Sequence, residues 1–187
     1  MTGNKIVLNE APKRAVFLVG ESWAYALKIK DKVVAFSDLA KRNPIIFKID
    51  PEVSKVPSIG DMGKVNEEAV MNLNPDVIIV WDQPPGYRET AKRLEKTGLP
   101  VVRIGYIKRY PDDICTQAKL LGKLFEAETR ADQICSYLIE IWNDVISKRP
   151  KNDIRVLYSF TSPTYIACNM PDQAYVTFIN SAGGKVL

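Results

Sequence analysis

Histidine is absent from all 187 residues. Its absence excludes imidazole acid–base catalysis, Ser-His-Asp and Cys-His nucleophile systems, and every zinc site that needs a histidine ligand. Cysteine is scarce. Cys115, Cys135 and Cys168 make an odd set with no Cys-x-x-Cys pair, which argues against a disulfide framework. Cys115 and Cys135 fall on apolar helical faces, where a thiol acts as a small hydrophobe. Long apolar runs are also missing, and none approaches the ~18 residues of a membrane span. The opening Met-Thr-Gly-Asn-Lys has no apolar signal-peptide segment. Gly60-Asp61-Met62-Gly63-Lys64 has glycines and a lysine but matches neither GxxxxGK[ST] nor GxGxxG. Strong charge of one sign is lacking too, at a net +4. The basic residues are scattered in small groups, such as Lys41/Arg42 and Lys92/Arg93/Lys96, that read as solvated helix faces. Without a zinc-finger spacing, an arginine-rich helix or a ribonucleoprotein motif, nucleic acid is not an expected partner.

What is present is ordinary globular composition, 46% apolar and 26% charged, enough for a packed core. Its most informative stretch is Val56–Trp81, which reads as loop, helix, Asn-Pro-Asp turn and buried strand. Asn66 is a candidate N-cap for a helix over Asn66–Leu73, with Glu67 and Glu68 in its positive first turn. Asp76–Val80 is almost wholly β-branched and apolar, as a parallel strand covered on both faces should be. Further strands are predicted at Ala15–Val19, Val33–Phe36, Val56–Ile59 and Pro100–Ile104, with helices around Trp23–Ile29 and Arg88–Thr97. Residues 37–55 read as irregular, because Asn43-Pro44 and Asp50-Pro51 break any long helix. Strands alternating with helices predict a parallel α/β sheet with right-handed crossovers. After Pro111 the pattern becomes helical, over Asp112–Phe125 and Ala127–Arg149. The second helix carries an apolar stripe through Ala131, Cys135, Leu138, Ile141, Trp142 and Val145, and would span roughly 35 Å. New strands are predicted at Arg155–Phe160 and Thr164–Cys168, then a helix over Gln173–Ala182 that closes at Gly183-Gly184.

Pro12-Lys13-Arg14-Ala15-Val16 precedes the first strand. Pro57, Gly60, Asn66, Glu68, Val70, Leu73, Pro75, Asp76, Val77, Ile78 and Ile79 follow in fixed order. On these residues the chain resembles the substrate-binding proteins of ABC importers for iron-siderophores, haem and cobalamin, periplasmic binding proteins whose two lobes are joined by one long helix. The resemblance runs from about Gly3 to Gly184. It implies an α/β fold: a Rossmann-like N-terminal lobe with a parallel sheet at residues 1–110, a helical linker with the long backbone helix at 111–150, and the incomplete start of a second α/β lobe at 151–187. It also implies an extracytoplasmic protein, periplasmic or membrane-tethered, whose signal is not in this sequence. The expected partners are an ABC permease and a small-molecule metal chelate. Exposed apolar residues of the incomplete lobe would make a homodimer an option.

The expected role is capture and delivery, with no catalytic residue, resident metal or cofactor. An α/β enzyme or cofactor-binding subunit built on the same lobe is the alternative. It would require a phosphate loop or a titratable cleft pair. By resemblance, Trp81 is a cleft aromatic, Phe36 is another at the exit of the second strand, and Ser58 and Ile59 lie on a cleft loop. Tyr87 follows a stiff Pro84-Pro85-Gly86 turn, where an exposed aromatic favours ligand contact. Ser22 and Trp23 stand at a helix start whose free N–H groups suit an anionic group. Tyr106, Arg109 and Tyr110 follow the last strand of the lobe, and Arg109 offers a planar fork to a carboxylate or phenolate. Tyr165 is the candidate from the second lobe. Each has a plainer reading as core or solvated surface. Glu68, with Glu67 beside it, matches the acid that pairs with permease arginines in the family; the plainer reading is an acid that complements the helix dipole.

Overall fold

Four short runs of β-branched and aromatic residues form one sheet in the computed structural model, which describes residues 6–61, 63–82, 85–150, 154–161, 166–168 and 174–186. These are β1 (Ala15–Phe17), β2 (Val33–Phe36), β3 (Val77–Trp81) and β4 (Val101–Ile104), arranged β2-β1-β3-β4 and all parallel. Ala15 pairs with Val77 and Val16 with Ile78, while Ile78 pairs with Val101. Every residue of β1 and Val77–Val80 of β3 is buried, as the continuous apolar runs predict. The helices on this sheet are α1 (Glu21–Ala26), α2 (Asp38–Arg42), α3 (Pro44–Ile49), α4 (Glu67–Asn72) and α5 (Pro85–Glu95). Asn66 caps α4 as expected, its side chain accepting from the Ala69 N–H at 3.0 Å.

The two segments that carry the family resemblance meet at the amino end of the sheet. Asp76 Oδ2 accepts from the backbone N–H groups of Lys13 at 2.7 Å and Arg14 at 2.8 Å. The Arg14 guanidinium donates to the Leu73 carbonyl at 2.7 Å and to that of Asn74 at 3.3 Å. A carboxylate and an arginine thus tie the approach to β1 to the approach to β3. The chain turns one way out of β1 into β2 and the other way into β3, so the carboxyl ends of β1 and β3 flank the switch point where such sheets bind ligands.

Three expectations change. Asn43-Pro44 and Asp50-Pro51 start helical turns instead of preventing them. Asn43 accepts from the Ile45 N–H at 3.0 Å and Asp50 from the Glu52 N–H at 3.1 Å, and a proline tolerates the first helical position. For the same reason Pro85 and Gly86 belong to the first turn of α5 rather than to a turn before it. Val56–Ile59 is no strand of the sheet; it makes one parallel bridge, Ser58 to Phe36.

The chain divides into two compact units, residues 1–106 with 119–131 and residues 107–118 with 132–187. Helices α6 (Asp112–Phe125) and α7 (Glu128–Ser147) supply residues to both. Within the first unit, Lys32 Nζ donates to the Phe125 carbonyl at 2.9 Å and Arg130 Nε to that of Ala26 at 2.8 Å. Each cation satisfies a carbonyl at the end of a helix. Gly122 lets α6 lie against the start of α7, since a Cβ there would stand 2.7 Å from that of Ala131. Within the second unit, β5 (Ile154–Val156) pairs in parallel with β8 (Gly184–Val186), and β6 (Ser159–Thr161) runs antiparallel to β7 (Ile166–Cys168). The strand expected over Arg155–Phe160 is therefore two strands. α8 (Ala174–Ser181) packs Phe178 against Tyr110 and Trp142, with ring centroids 4.6 and 5.8 Å away. Cys135 is buried, as a small hydrophobe should be, whereas Ile141 and Val145 of the expected α7 stripe are exposed.

Gly122→Ala tests the α6–α7 contact. Helix propensity alone would make it stabilising by about 1 kcal/mol. The contact with Ala131 should reverse the sign, leaving a net loss of about 1 kcal/mol in urea unfolding, the overpacking cost exceeding the propensity gain.

Candidate ligand-binding site

Trp81 closes β3 at its carboxyl end and pairs with Ile104 of β4. Because α5 begins at Pro85, its first turn carries Tyr87 back over the strand end. The Tyr87 ring lies 5.5 Å from Trp81. Tyr106, two residues past β4, meets Trp81 edge-on at 6.1 Å. Three aromatic rings from two strand exits and one helix start thus share a surface. Trp81 and Tyr87 are half-buried and Tyr106 is exposed. Such a platform offers π-faces together with indole and phenol donors.

The neighbouring exits are built by glycine. Gly20, the N-cap of α1 after β1, is in the left-handed region, φ +66°, and a Cβ there would lie 3.1 Å from Trp23 Cδ1 and 3.2 Å from Ile104 Cδ1. The missing side chain lets the half-buried Trp23 pack across toward β4. Ser22 is exposed on the same turn. Gly60, φ +84°, turns the loop after Ser58 so tightly that a Cβ would strike the Lys64 carbonyl oxygen. Ser58 Oγ donates to the Asp38 carboxylate and is exposed.

Charge around the platform is largely paired. Asp61 pairs with Arg42, and its Oδ1 is buried without a hydrogen-bond partner among the described residues. Arg103 grips Glu95 through two donors, at 2.6 and 2.7 Å, and reaches Asp82 at 3.2 Å; Arg88 lies 3.8 Å from Asp82. Burial raises the Tyr87 phenol above its ordinary pKa of 10.0, and the Asp61 carboxylate and then Tyr106 add to the rise. Tyr87 therefore stays a neutral donor through the physiological range.

Not every expected site residue lies on this surface. Phe36 is 0% exposed, packed between Phe17 at 6.3 Å and Tyr25 at 6.1 Å, with Lys30 Nζ 5.8 Å from its ring centroid. Ile59 is buried too. Both are core residues here and present no ligand surface; a strand-exit aromatic on an inward position is core whatever its neighbours do. Arg109 belongs to the second unit, its side chain 77% exposed and 3.4 Å from Asp113. Burial works against ionisation of Asp113, but the backbone N–H groups of Arg109 and Lys108, with the Arg109 charge, hold its carboxyl below the ordinary value. Tyr165 lies outside the described residues. At α4, Glu67 is taken up by Arg93, 2.6 Å away, whereas Glu68 is exposed and has no ion pair among the described residues. The Arg103–Glu95–Asp82 network was not anticipated. Its one sequence signal is an arginine inside the otherwise apolar Val101–Ile104.

Residues 20–176 match the model of a family described as periplasmic binding protein. The molybdate-binding protein MolA of Haemophilus influenzae is 24% identical over 172 residues, covering 90% of this chain and 48% of MolA. The chain thus spans about half the length of that relative. Among solved structures, a possible iron-binding periplasmic solute-binding protein of Staphylococcus epidermidis superposes with TM-score 0.76 at 19% identity, over 95% of this chain and 67% of the other. The vitamin B12-binding protein BtuF of Vibrio cholerae gives 0.73 at 22% identity, over 94% and 66%. At such identity these structures establish the α/β fold alone.

The proximity of Asp61 to Tyr87 can be read optically. In a tyrosinate titration at alkaline pH, Tyr87→Phe should remove one late-titrating phenol. Asp61→Asn should bring one phenol back toward pH 10. A titration unchanged by Asp61→Asn would show that the two groups do not interact.

Proposed function

The chain belongs to the periplasmic binding protein family, and from that premise we propose that it is the extracytoplasmic substrate-binding component of an ABC importer, capturing a metal-chelate ligand and handing it to the permease. The observation that carries the ligand class is the Trp81–Tyr87–Tyr106 platform at the carboxyl ends of β3 and β4, beside the switch point of the sheet. Flat or bulky organic surface stacks on such rings. A bare oxyanion, the ligand named for MolA, needs free cationic or N–H donors instead. Arg42, Arg88 and Arg103 are each already engaged by a carboxylate. Haem- and B12-binding proteins among the similar solved structures agree with a large organic ligand. Ser22, Trp23 and Ser58 line the neighbouring strand exits and would complete this half of the site.

The same geometry favours capture over catalysis. Asp61, Asp82 and Glu95, around the platform, are each held in an ion pair with an arginine. For delivery, Glu68 is the docking acid. It stands exposed at the amino end of α4, while Glu67 is held by Arg93. No helix of the described residues is long and apolar enough to cross a membrane.

Titration of tryptophan fluorescence with a ferric trihydroxamate, haem and cobalamin tests the reading. One of them should quench saturably, and Trp81→Ala should weaken that binding at least tenfold, the scale of about 1.4 kcal/mol of lost stacking. Glu68→Ala should leave the titration unchanged while lowering stimulation of the permease ATPase. Saturable binding of molybdate alone, indifferent to Trp81, would overturn the chelate reading. A Glu68 variant that stimulates fully would remove the docking role.

A further inference from the structure

Tyr87 of the platform and Glu68 of α4 belong to one closed ring of contacts inside the first unit. One arm runs through α5. The hydroxyl of the buried Thr90 donates to the Gly86 carbonyl at 3.1 Å, beside Tyr87, and accepts from Arg93 Nη2 at 3.2 Å. Arg93 Nε then donates to Glu67 Oε1 at 2.6 Å, next to Glu68. The other arm is the loop before α4. Its ends are tied by the Asn66 N–H, which donates to the Ile59 carbonyl at 3.0 Å, and its turn by the Lys64 N–H, which donates to the Asp61 carbonyl at 2.7 Å. The Asp61 carboxylate of this loop acts on the Tyr87 phenol. Tyr106 joins the platform from the chain after β4 and stands outside both arms.

The two ends of α4 are held differently. At its carboxyl end the Leu73 carbonyl accepts from the Arg14 guanidinium at 2.7 Å, and the Arg14 N–H is itself tied to Asp76 at the foot of the sheet. At its amino end the hold is the loop and the ion pair with Arg93, whose side chains are 46% and 32% exposed for Arg93 and Glu67. A half-exposed pair contributes little to stability. It does set direction, because a short charge-assisted contact fixes where the first turn of α4 sits against α5. A six-residue helix pinned at one end swings at the other, and Glu68 stands in the swinging turn.

We propose that Arg93 is a positioning residue that couples the platform to docking. A ligand stacked on Tyr87 shifts the first turn of α5, and Arg93 carries the shift to Glu67 and so to the direction in which Glu68 is offered. The purpose rests on the capture-and-docking reading of Tyr87 and Glu68; the coupling rests on the ring alone. One half-exposed pair carries a bias of up to about fivefold, the equivalent of about 1 kcal/mol. Occupancy therefore tilts docking and does not switch it on.

Methyl NMR of the whole chain, labelled with carbon-13 at the methionine methyls, tests the coupling without a ligand. Met71 lies three residues after Glu68 on the same face of α4 and is 41% exposed. Met71→Leu assigns its signal among the four methionines. Tyr87→Ala should shift the Met71 methyl, and the shift should fall at least threefold when Arg93→Gln is also present. Glu67→Gln should act as Arg93→Gln does, which keeps the test valid if either variant fails to fold. Tyr106→Ala, which removes a platform ring outside both arms, should leave Met71 where it is. A Met71 methyl that ignores Tyr87→Ala, or answers it equally with Arg93→Gln, would overturn the coupling. So would an equal answer to Tyr106→Ala. Capture is checked apart from this. If cobalamin, haem or a ferric trihydroxamate quenches tryptophan fluorescence, Arg93→Gln should leave its Kd within twofold and lower the ligand-dependent part of permease ATPase stimulation about fivefold. Failure of all three to quench would count against capture, while the methyl shifts decide the coupling either way.

Discussion

The parallel pairing of β1 with β3 is the constraint on which the rest of the first unit depends. These strands are separated in sequence by β2, four helices and a loop, yet Ala15 lies opposite Val77 and Phe17 opposite Ile79. Apolar burial alone would tolerate more than one alignment of two such uniformly apolar strands. The Asp76 carboxylate removes that freedom by taking the N–H groups of Lys13 and Arg14, while Arg14 returns to the carbonyls of Leu73 and Asn74. The alignment is set before either strand begins. It then decides which side chains arrive together at the far end of the sheet.

That far end carries the proposed site. Once β3 is in register with β1 on one side and β4 on the other, Trp81 stands beside Ile104, and Tyr106 and Tyr87 close on it from the following loop and helix. Glycines at positions 20 and 60 keep the adjoining exits narrow. Carboxylates take up the local arginines, so the surface there is mainly aromatic, edged by hydroxyls. Such a surface suits the large organic ligand proposed for it. Glu68, proposed as the docking acid, stands exposed at the amino end of α4.

Much of this was legible in the residues. The β-branched run at Asp76–Val80 and the capped helix at Asn66 announced themselves through periodicity and end signals, and both stand where expected. Trp81 was legible as the aromatic ending a buried strand. Proline was the main source of error. Pro44, Pro51 and Pro85 were read as interruptions, and each occupies a first helical position, where its missing N–H costs nothing. Phe36 and Ile59 show a second limit. Whether an apolar residue at a strand exit or on the loop beside it is covered depends on tertiary packing, here against Phe17 and Tyr25 for Phe36, and no local pattern encodes it. The Arg103 network joins Glu95 of α5 and Asp82, just after β3, to β4, a meeting that only the fold creates.

The central claim is that ligand is held over the carboxyl end of β3. The chain contains three tryptophans, Trp23, Trp81 and Trp142, so fluorine NMR of protein labelled with 5-fluorotryptophan gives one reporter at the platform, one beside it and one in the second unit. Addition of the ligand that quenches fluorescence should shift the Trp81 resonance most and the Trp23 resonance next. A saturable shift of Trp142 with Trp81 unmoved would place the ligand elsewhere and contradict the account.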